Sequence, residues 1–283
     1  MELELAGIIF DVNTPHLEAL RPLLSKYGGT NPNIDCNDSG FVPTAIEVSE
    51  QDIQSQKEKA RSVFERRGED YTVSDLECEF TVLYKKILQQ LIGHKVIYLH
   101  GSLLAVDGKG YLFMAPSGTG KSTHARLWQE RFGERVTVIN DDKPLVKVHE
   151  DGNIWAYGSP WNGKHRIGCN RSVPLSGIVR LRRGQENVIG KLGEMDAMKL
   201  LYMQTLHFEE KHKMELMLQV IGAIMEHVDF YDLQCNMELE AAEVAYEGIV
   251  THDLKGGVYD DQQNDRGQKQ NEAEIKFYHS DHR

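Results

Sequence analysis

The apolar positions of this chain change period repeatedly along its length, and each change marks a different kind of element. Leu5 to Asp11 reads as a strand, and the residues after Asn13 as a loop with a short helix. Gly28 to Phe41 is rich in Gly, Asn, Asp and Pro, which predicts turn and loop. Thr44 to Val48 alternates as a strand does. Ser49, with Asp52 three residues on, predicts an N-cap before the charged segment Gln51 to Arg67. Leu76, Phe80, Leu83, Ile87, Leu88 and Leu91 share one helical face, so a helix is expected across about residues 74–93.

From Val96 the texture turns to short apolar strands. Val96–Tyr98, Ser102–Val106, Tyr111–Met114, Val136–Ile139, Pro144–Val148, Ile154–Tyr157 and Ile178–Leu181 follow closely, with Asp107-Gly108 placed as a hairpin turn. So many strands around a single early helix predict a mixed α/β fold without the regular βαβ alternation of doubly wound sheets. After Gly193 the pattern is helical at Ala197–Leu206, Met214–Val228 and Leu239–Ile249, with a strand at Phe230–Leu233 between the last two. Six methionines cluster there (Met195, Met198, Met203, Met214, Met217 and Met225) and read as core filler. From Thr251 to Arg283 few apolar residues remain, the composition of a disordered tail. The division expected is a small α+β region at 1–93, a main domain at 94–250 and the tail at 251–283.

Charge narrows the function classes. With 32 Lys plus Arg against 43 Asp plus Glu, the 283-residue chain carries a net charge of −11. That balance argues against wrapping nucleic acid or lying on an anionic membrane. Neither a bilayer-length apolar run nor a signal peptide is visible, so a cytoplasmic protein is expected. Cys36, Cys78, Cys169 and Cys235 are scattered without ligand spacing and read as reduced thiols, not as a zinc site or disulfide frame.

The chemistry concentrates at Ala115-Pro116-Ser117-Gly118-Thr119-Gly120-Lys121-Ser122-Thr123, a small-residue turn between an apolar strand and a helix start. That context is what makes such a turn a phosphate-binding loop. Gly118 and Gly120 allow positive φ, so that successive N–H groups of residues 116–123 converge on one anion. Lys121 would reach the β- and γ-phosphates of ATP, and Ser122 would offer its hydroxyl to Mg²⁺. Ala115 stands where such loops usually open with Gly.

Three further stretches surround this cradle. Asn140-Asp141-Asp142 ends an apolar strand twenty residues past Lys121. One carboxylate of such a pair can hold Mg²⁺, while the other, its pKa raised by like charge, accepts a hydroxyl proton. His100-Gly101 precedes the cradle's hairpin, where the histidine could contact acceptor or phosphate. Ser159 to Arg166 reads as an exposed loop whose Lys164 and Arg166 could offset charge on a transferring phosphoryl group. The run Arg180-Leu181-Arg182-Arg183 reads as a strand end in water, and Arg126 and Trp128 as surface and packing.

His100-Gly101, Ser117-Gly118-Thr119-Gly120-Lys121-Ser122 and Asp141-Asp142, in this order, resemble the HPr kinase/phosphorylase catalytic domain and the ATP-dependent phosphoenolpyruvate carboxykinases. The resemblance covers about residues 95–185. It is nearest to the HPr kinase-like bacterial serine kinases, some of which lie beside ribosomal-peptide gene clusters and phosphorylate a precursor peptide. Pro160-Trp161-Asn162-Gly163-Lys164 looks like that group's motif. The resemblance implies an α/β P-loop core of the HPr kinase C-terminal type, ATP–Mg²⁺ chemistry, an Asp as base, Lys121 and Ser122 at the phosphates, and a homo-oligomer. Ser122 and Asp142 are the expected metal side, with either Asp141 or Asp142 open as the base and its neighbour on the metal; Asp141, Asp142, His100, Lys121, Lys164 and Arg166 form the expected catalytic set. Two departures bear on activity. Thr123 stands where HPr kinases carry Glu, and the glycine-containing signature of their phosphorylase activity has no match. A carboxykinase's large N-terminal domain and manganese-binding His/Lys set are also missing. The activity expected is therefore transfer to a serine-type hydroxyl on a peptide or protein. The alternatives are a small-molecule kinase and an ATP-sensing module without transfer.

Overall fold

The computed structural model describes residues 1–29, 42–163 and 166–255. Most of the expected loop at Gly28–Phe41, with Cys36, lies outside these residues, as do Lys164, His165 and the expected tail from residue 256. The described part is a mixed α/β protein with two sheets, of three and nine strands.

The chain opens with β1 (Glu2–Leu5) and β2 (Ile8–Asn13), an antiparallel hairpin, where the apolar pattern predicted one strand. The turn between them is Ala6-Gly7, both at positive φ (53° and 77°), which suits a tight hairpin and which Ala rarely signals. α1 (Leu17–Leu24) follows, and β3 (Thr44–Glu47) then joins β2 in parallel. α2 (Glu50–Arg67) and α3 (Asp75–Leu91) both start on capping boxes, Ser49 with Asp52 and Ser74 with Glu77. Each box satisfies two orphan N–H groups, and losing such a cap costs about 1 kcal/mol. Glu79 of α3 is fully buried; it accepts from Thr14 Oγ1 and the His16 backbone N–H, and pairs with the His16 ring.

The large sheet is built from β4 (Val96–Tyr98), β5 (Gly101–Val106), β6 (Lys109–Met114), β7 (Val136–Asn140), β8 (Leu145–Val148), β9 (Ile154–Tyr157), β10 (Ser172–Arg183), β11 (Val188–Lys191) and β12 (Asp229–Cys235). Its order is β4-β8-β9-β10-β6-β5-β7, with β12 on β10 and β11 on β12. β10 is long enough to serve twice. Ser172–Pro174 pair antiparallel with β9, while the rest lies parallel to both β6 and β12. β11 escaped the hydropathy pattern because Val188–Lys191 are exposed or half-buried at the sheet's edge.

Alternation along the strands feeds two cores. Tyr111 and Phe113 face a layer with α4 (Lys121–Phe132) and α7 (Glu240–Lys255), while Leu112 and Met114 face one with α5 (Glu194–Met203) and α6 (Lys211–His227). α7 runs on through residues 251–255, expected as tail, because no Gly or Pro intervenes before Gly256. The methionines divide. Met217 is buried, but Met195 is 88% exposed, and with Met198, Tyr202 and Met225 it lines an apolar groove of about 460 Å³. A third core joins residues 1–93 to the large sheet, since Leu83, Ile87 and Leu91 share it with Val96, Tyr98, Leu145, Tyr157 and Trp161. Among the described residues no helix is long and apolar enough to cross a membrane.

Candidate active site

Strand register brings the separate motifs to one edge of the large sheet. Gly101 pairs with Met114 across β5 and β6, Leu103 pairs with Asn140 across β5 and β7, and Arg180 pairs with Met114 across β10 and β6. The cradle, His100, the Asp141-Asp142 pair and the arginine run therefore leave neighbouring strand ends.

The cradle has the strand–loop–helix form that its residues predict. β6 runs into residues 115–120, and α4 begins at Lys121 with Gly120 as an N-cap that offers no side chain. Gly118 and Gly120 sit at φ +78° and +122°, where a side chain would strain the backbone. The uncapped first turn leaves helix N–H groups without intrahelical partners, and the dipole there favours an anion. Ser117, Gly118 and Ser122 are exposed; Pro116, Thr119, Gly120 and Thr123 are half-buried. Lys121 is 8% exposed and donates to the Ala115 carbonyl at 2.8 Å. Burial pulls its pKa down, against the opposing pull of Asp142 and then Asp141. The lysine and both carboxylates thus share one field.

The carboxylate turn is held by buried polar groups. Asn140 is fully buried; its Oδ1 accepts from the Asp142 and Lys143 N–H groups at 2.9 and 2.7 Å. Its Nδ2 donates to Ser159 O and Oγ at 3.0 and 3.1 Å. Asp141, also buried, accepts from Ser102 Oγ at 2.5 Å. Asp142 Oδ1 lies 3.2 Å from His100 Nε2, and Oδ2 lies 2.9 Å from Lys143 Nζ. Burial pushes the Asp142 carboxyl up, but the His100 hydrogen bond and the Lys143 ammonium outweigh it and hold it at about 2. The upward shift expected from like charge does not govern Asp142.

The Ser159–Arg166 stretch is not the exposed loop its charges predicted. Ser159, Trp161 and Asn162 are buried. Trp161 packs on Phe80 and Tyr84 at ring-centroid distances of 5.3 and 4.8 Å and donates Nε1–H to Phe80 O. Tyr27 donates its hydroxyl to Ser159 O at 2.8 Å. Residues 1–93, whose role the sequence left unread, thus anchor this loop. A Cβ on Gly163, at φ +70°, would stand 3.2 Å from Asp142 Cβ, so the loop passes directly over the carboxylate turn. Arg166 follows in an exposed turn at φ 51°. Lys164 lies outside the described residues.

The arginine run is not loose in water. Arg180 pairs with Asp232 and Asp196, and Arg182 with Asp232. Arg183 donates to the carbonyls of Gly118 and Thr119, a second cation on the cradle. In a trans peptide the C=O and the following N–H point oppositely, so holding Thr119 O on Arg183 turns Gly120 N–H away from that arginine. Sequence reasoning missed Arg183, Asn140, Ser102 and Gln204, whose Oε1 faces His100 Nδ1 at 3.0 Å. The Asn-Asp-Asp turn was the only local signal for any of them. His124, buried behind the cradle, accepts from Trp128 Nε1 at 2.9 Å, and burial drives its pKa down to about 4.

Among the described residues no three His, Cys, Asp or Glu side chains form a ready metal cage. The donor set at the cradle nevertheless fits a phosphate-bound Mg²⁺. Ser122 and the carboxylate pair supply hard oxygens, an ion of this kind needs only one or two protein ligands beside phosphate, and an uncapped helix N-terminus stands open to the phosphates.

Residues 68–240 match the family described as SynChlorMet cassette protein ScmC. The match names that family and not the HPr kinases of the motif resemblance. No curated protein matches the chain. Among solved structures, the Hpr(Ser) kinase/phosphatase from Coxiella burnetii is similar at 11% identity, over 55% of this chain and 98% of that one, with a TM-score of 0.33.

Proposed function

We propose that this chain, which belongs to the SynChlorMet cassette protein ScmC family, is an ATP- and Mg²⁺-dependent kinase acting on a serine-type hydroxyl of a peptide or protein. One observation carries the reading: strand register brings an uncapped, glycine-turned helix N-terminus and a fixed carboxylate pair to the same end of the sheet, on the two strands that flank β5. The first is an anion site, and the second is a place to bind a cation and receive a proton. Their adjacency is what phosphoryl transfer requires.

Residues 116–123 would hold the phosphates of ATP on backbone N–H groups, with Lys121 adding positive charge. Ser122 and Asp142 would hold Mg²⁺, since the low pKa of Asp142 keeps it anionic at any working pH. When bound, the magnesium nucleotide supplies the transferable phosphoryl group and neutralises its charge. Asp141 would take the proton of the acceptor hydroxyl, and His100, paired with Asp142, would orient that hydroxyl. Lys164 and Arg166 would approach from the loop that crosses Asp142. Catalysis is then positioning and electrostatics. Residues 94–250 would make the catalytic unit and 1–93 its platform.

The test is transfer from γ-labelled ATP with Mg²⁺ to peptide, protein and small-molecule fractions of an extract, with Lys121→Ala as blank. Label in a macromolecular fraction, absent from the blank, is expected. Label confined to small molecules would overturn the acceptor class. No label in any fraction, with nucleotide still bound, would overturn the kinase.

A further inference from the structure

Gln204, one residue past the end of α5, is buried with 3% of its surface exposed and grips His100 twice. Its carbonyl accepts from the His100 N–H at 2.8 Å, and its Oε1 lies 3.0 Å from the ring's Nδ1. The next residue, Thr205, is also buried and donates its hydroxyl to Tyr98 O at 2.8 Å. The short link between β4 and β5 is therefore clamped on both sides of Leu99. On the far side of the ring, Nε2 lies 3.2 Å from Asp142 Oδ1, and the Gly101 N–H donates to Asp142 O at 3.0 Å.

An imidazole held at one nitrogen still pivots about its side-chain torsions. Holding the other nitrogen on a buried amide, itself fixed by the end of a helix, removes that freedom before any ligand arrives. α5 also reaches the opposite side of the site. Asp196 in its first turn pairs with Arg180 at 3.0 Å, on the strand that carries Arg183 to the cradle carbonyls. One helix thus braces the phosphate side at its start and the carboxylate side at its end.

We propose that Gln204 is the positioning residue that sets the His100 ring against Asp142, and that α5 fixes the two sides of the site relative to each other through Asp196 and Gln204. The catalytic consequence rests on the kinase reading above; the ring contact does not.

The experiment compares the full chain with Gln204→Leu, Gln204→Glu, His100→Ala and the double variant Gln204→Leu/His100→Ala. The backbone bond from residue 204 to His100 persists in all of them. Gln204→Leu should lower kcat by about 10- to 100-fold with the KM for ATP nearly unchanged, the range seen when an orienting partner is removed. Gln204→Glu, which keeps an acceptor oxygen, should restore most of that loss. In the His100→Ala background, Gln204→Leu should add nothing. An unchanged kcat in Gln204→Leu, or an equal further loss without His100, would overturn the proposal. A second readout needs no turnover: the ¹⁵N shift of His100 Nδ1, which reports the hydrogen bond at that nitrogen whichever partner donates, should move away from its wild-type value in Gln204→Leu. If the wild type transfers no phosphate, the kinase reading fails, and this shift alone decides the ring contact: its movement in Gln204→Leu supports the contact, and an unmoved shift overturns it.

Discussion

The two sides of the site are made from different materials. On the carboxylate side Asn140, Asp141 and Ser159 are buried, and each uses its polar atoms on neighbouring protein groups. On the cradle side Ser117, Gly118 and Ser122 face solvent, and the loop is held through its carbonyls by Lys121 and Arg183. Buried polar networks are strong when complete and costly when a member is lost. The Lys121 bond to the Ala115 carbonyl is buried, but the Arg183 contacts are exposed and cost little to break, and the loop's N–H groups gain their partner only when an anion arrives. One side is therefore finished by folding and the other by its ligand. Substitutions on the first should act on stability, and on the second on binding and rate.

The largest effect that would sharpen this contrast belongs to Asn140→Leu. It strands the Ser159 carbonyl and the Asp142 and Lys143 N–H groups, at a cost of roughly 3 to 5 kcal/mol of unfolding free energy. A urea melt showing less than about 1 kcal/mol would break the claim that the carboxylate side is preformed. Lys121→Ala comes next. Transfer should fall by about 10²- to 10³-fold while the thermal midpoint stays within a few degrees. A large drop in that midpoint would instead make Lys121 part of the folded framework.

His124 gives a contrast in pH. Its folded pKa of about 4 lies below the ordinary 6.5, so the unfolded chain takes up the proton first. Stability is full above pH 6.5 and falls as pH drops toward 4, by about 3 kcal/mol in all. Asp142 has its carboxyl pKa depressed from 3.8 to about 2, so its contribution is present above 3.8 and is lost lower, as pH falls through about 2. The raised pKa of His16 acts in the opposite sense: its contribution is present below 6.5 and lost as pH rises through the folded value. Urea midpoints at pH 7 and pH 4.5 should therefore diverge in the wild type and diverge less in His124→Phe. Equal divergence in both proteins would remove His124 from the account. The smallest effect is Arg183→Ala, which should weaken nucleotide binding by about tenfold, near 1.4 kcal/mol, with stability unchanged. Unaltered nucleotide affinity in a calorimetric titration would show that the carbonyl clamp does not shape the cradle.

Much of the local structure was legible. Ser49 with Asp52 announced α2, the apolar face from Leu76 to Leu91 announced α3, Asp107-Gly108 its hairpin, and Gly118 and Gly120 the turn before α4. What failed did so for one kind of reason. Trp161 sits in a stretch with two basic residues and looked exposed, yet its partners Phe80 and Tyr84 come from a helix some eighty residues earlier. Arg183 looked like a solvated strand end because nothing local says that β10 lies parallel to β6, which delivers the cradle carbonyls to it. Gln204 carries no motif; only the docking of α5 brings it to His100.

What the residues determined by themselves is therefore the cradle, the helix starts and the carboxylate turn. Those depend on φ preferences, caps and side-chain period, forces that act within a few residues. The tertiary structure alone decided which strand ends lie side by side, that residues 1–93 anchor the loop over Asp142, and which buried amides hold His100 and Asp142 in place. Those contacts join residues far apart in the chain. Their energy comes from burial and from completing polar networks, and neither exists until the chain has closed around them.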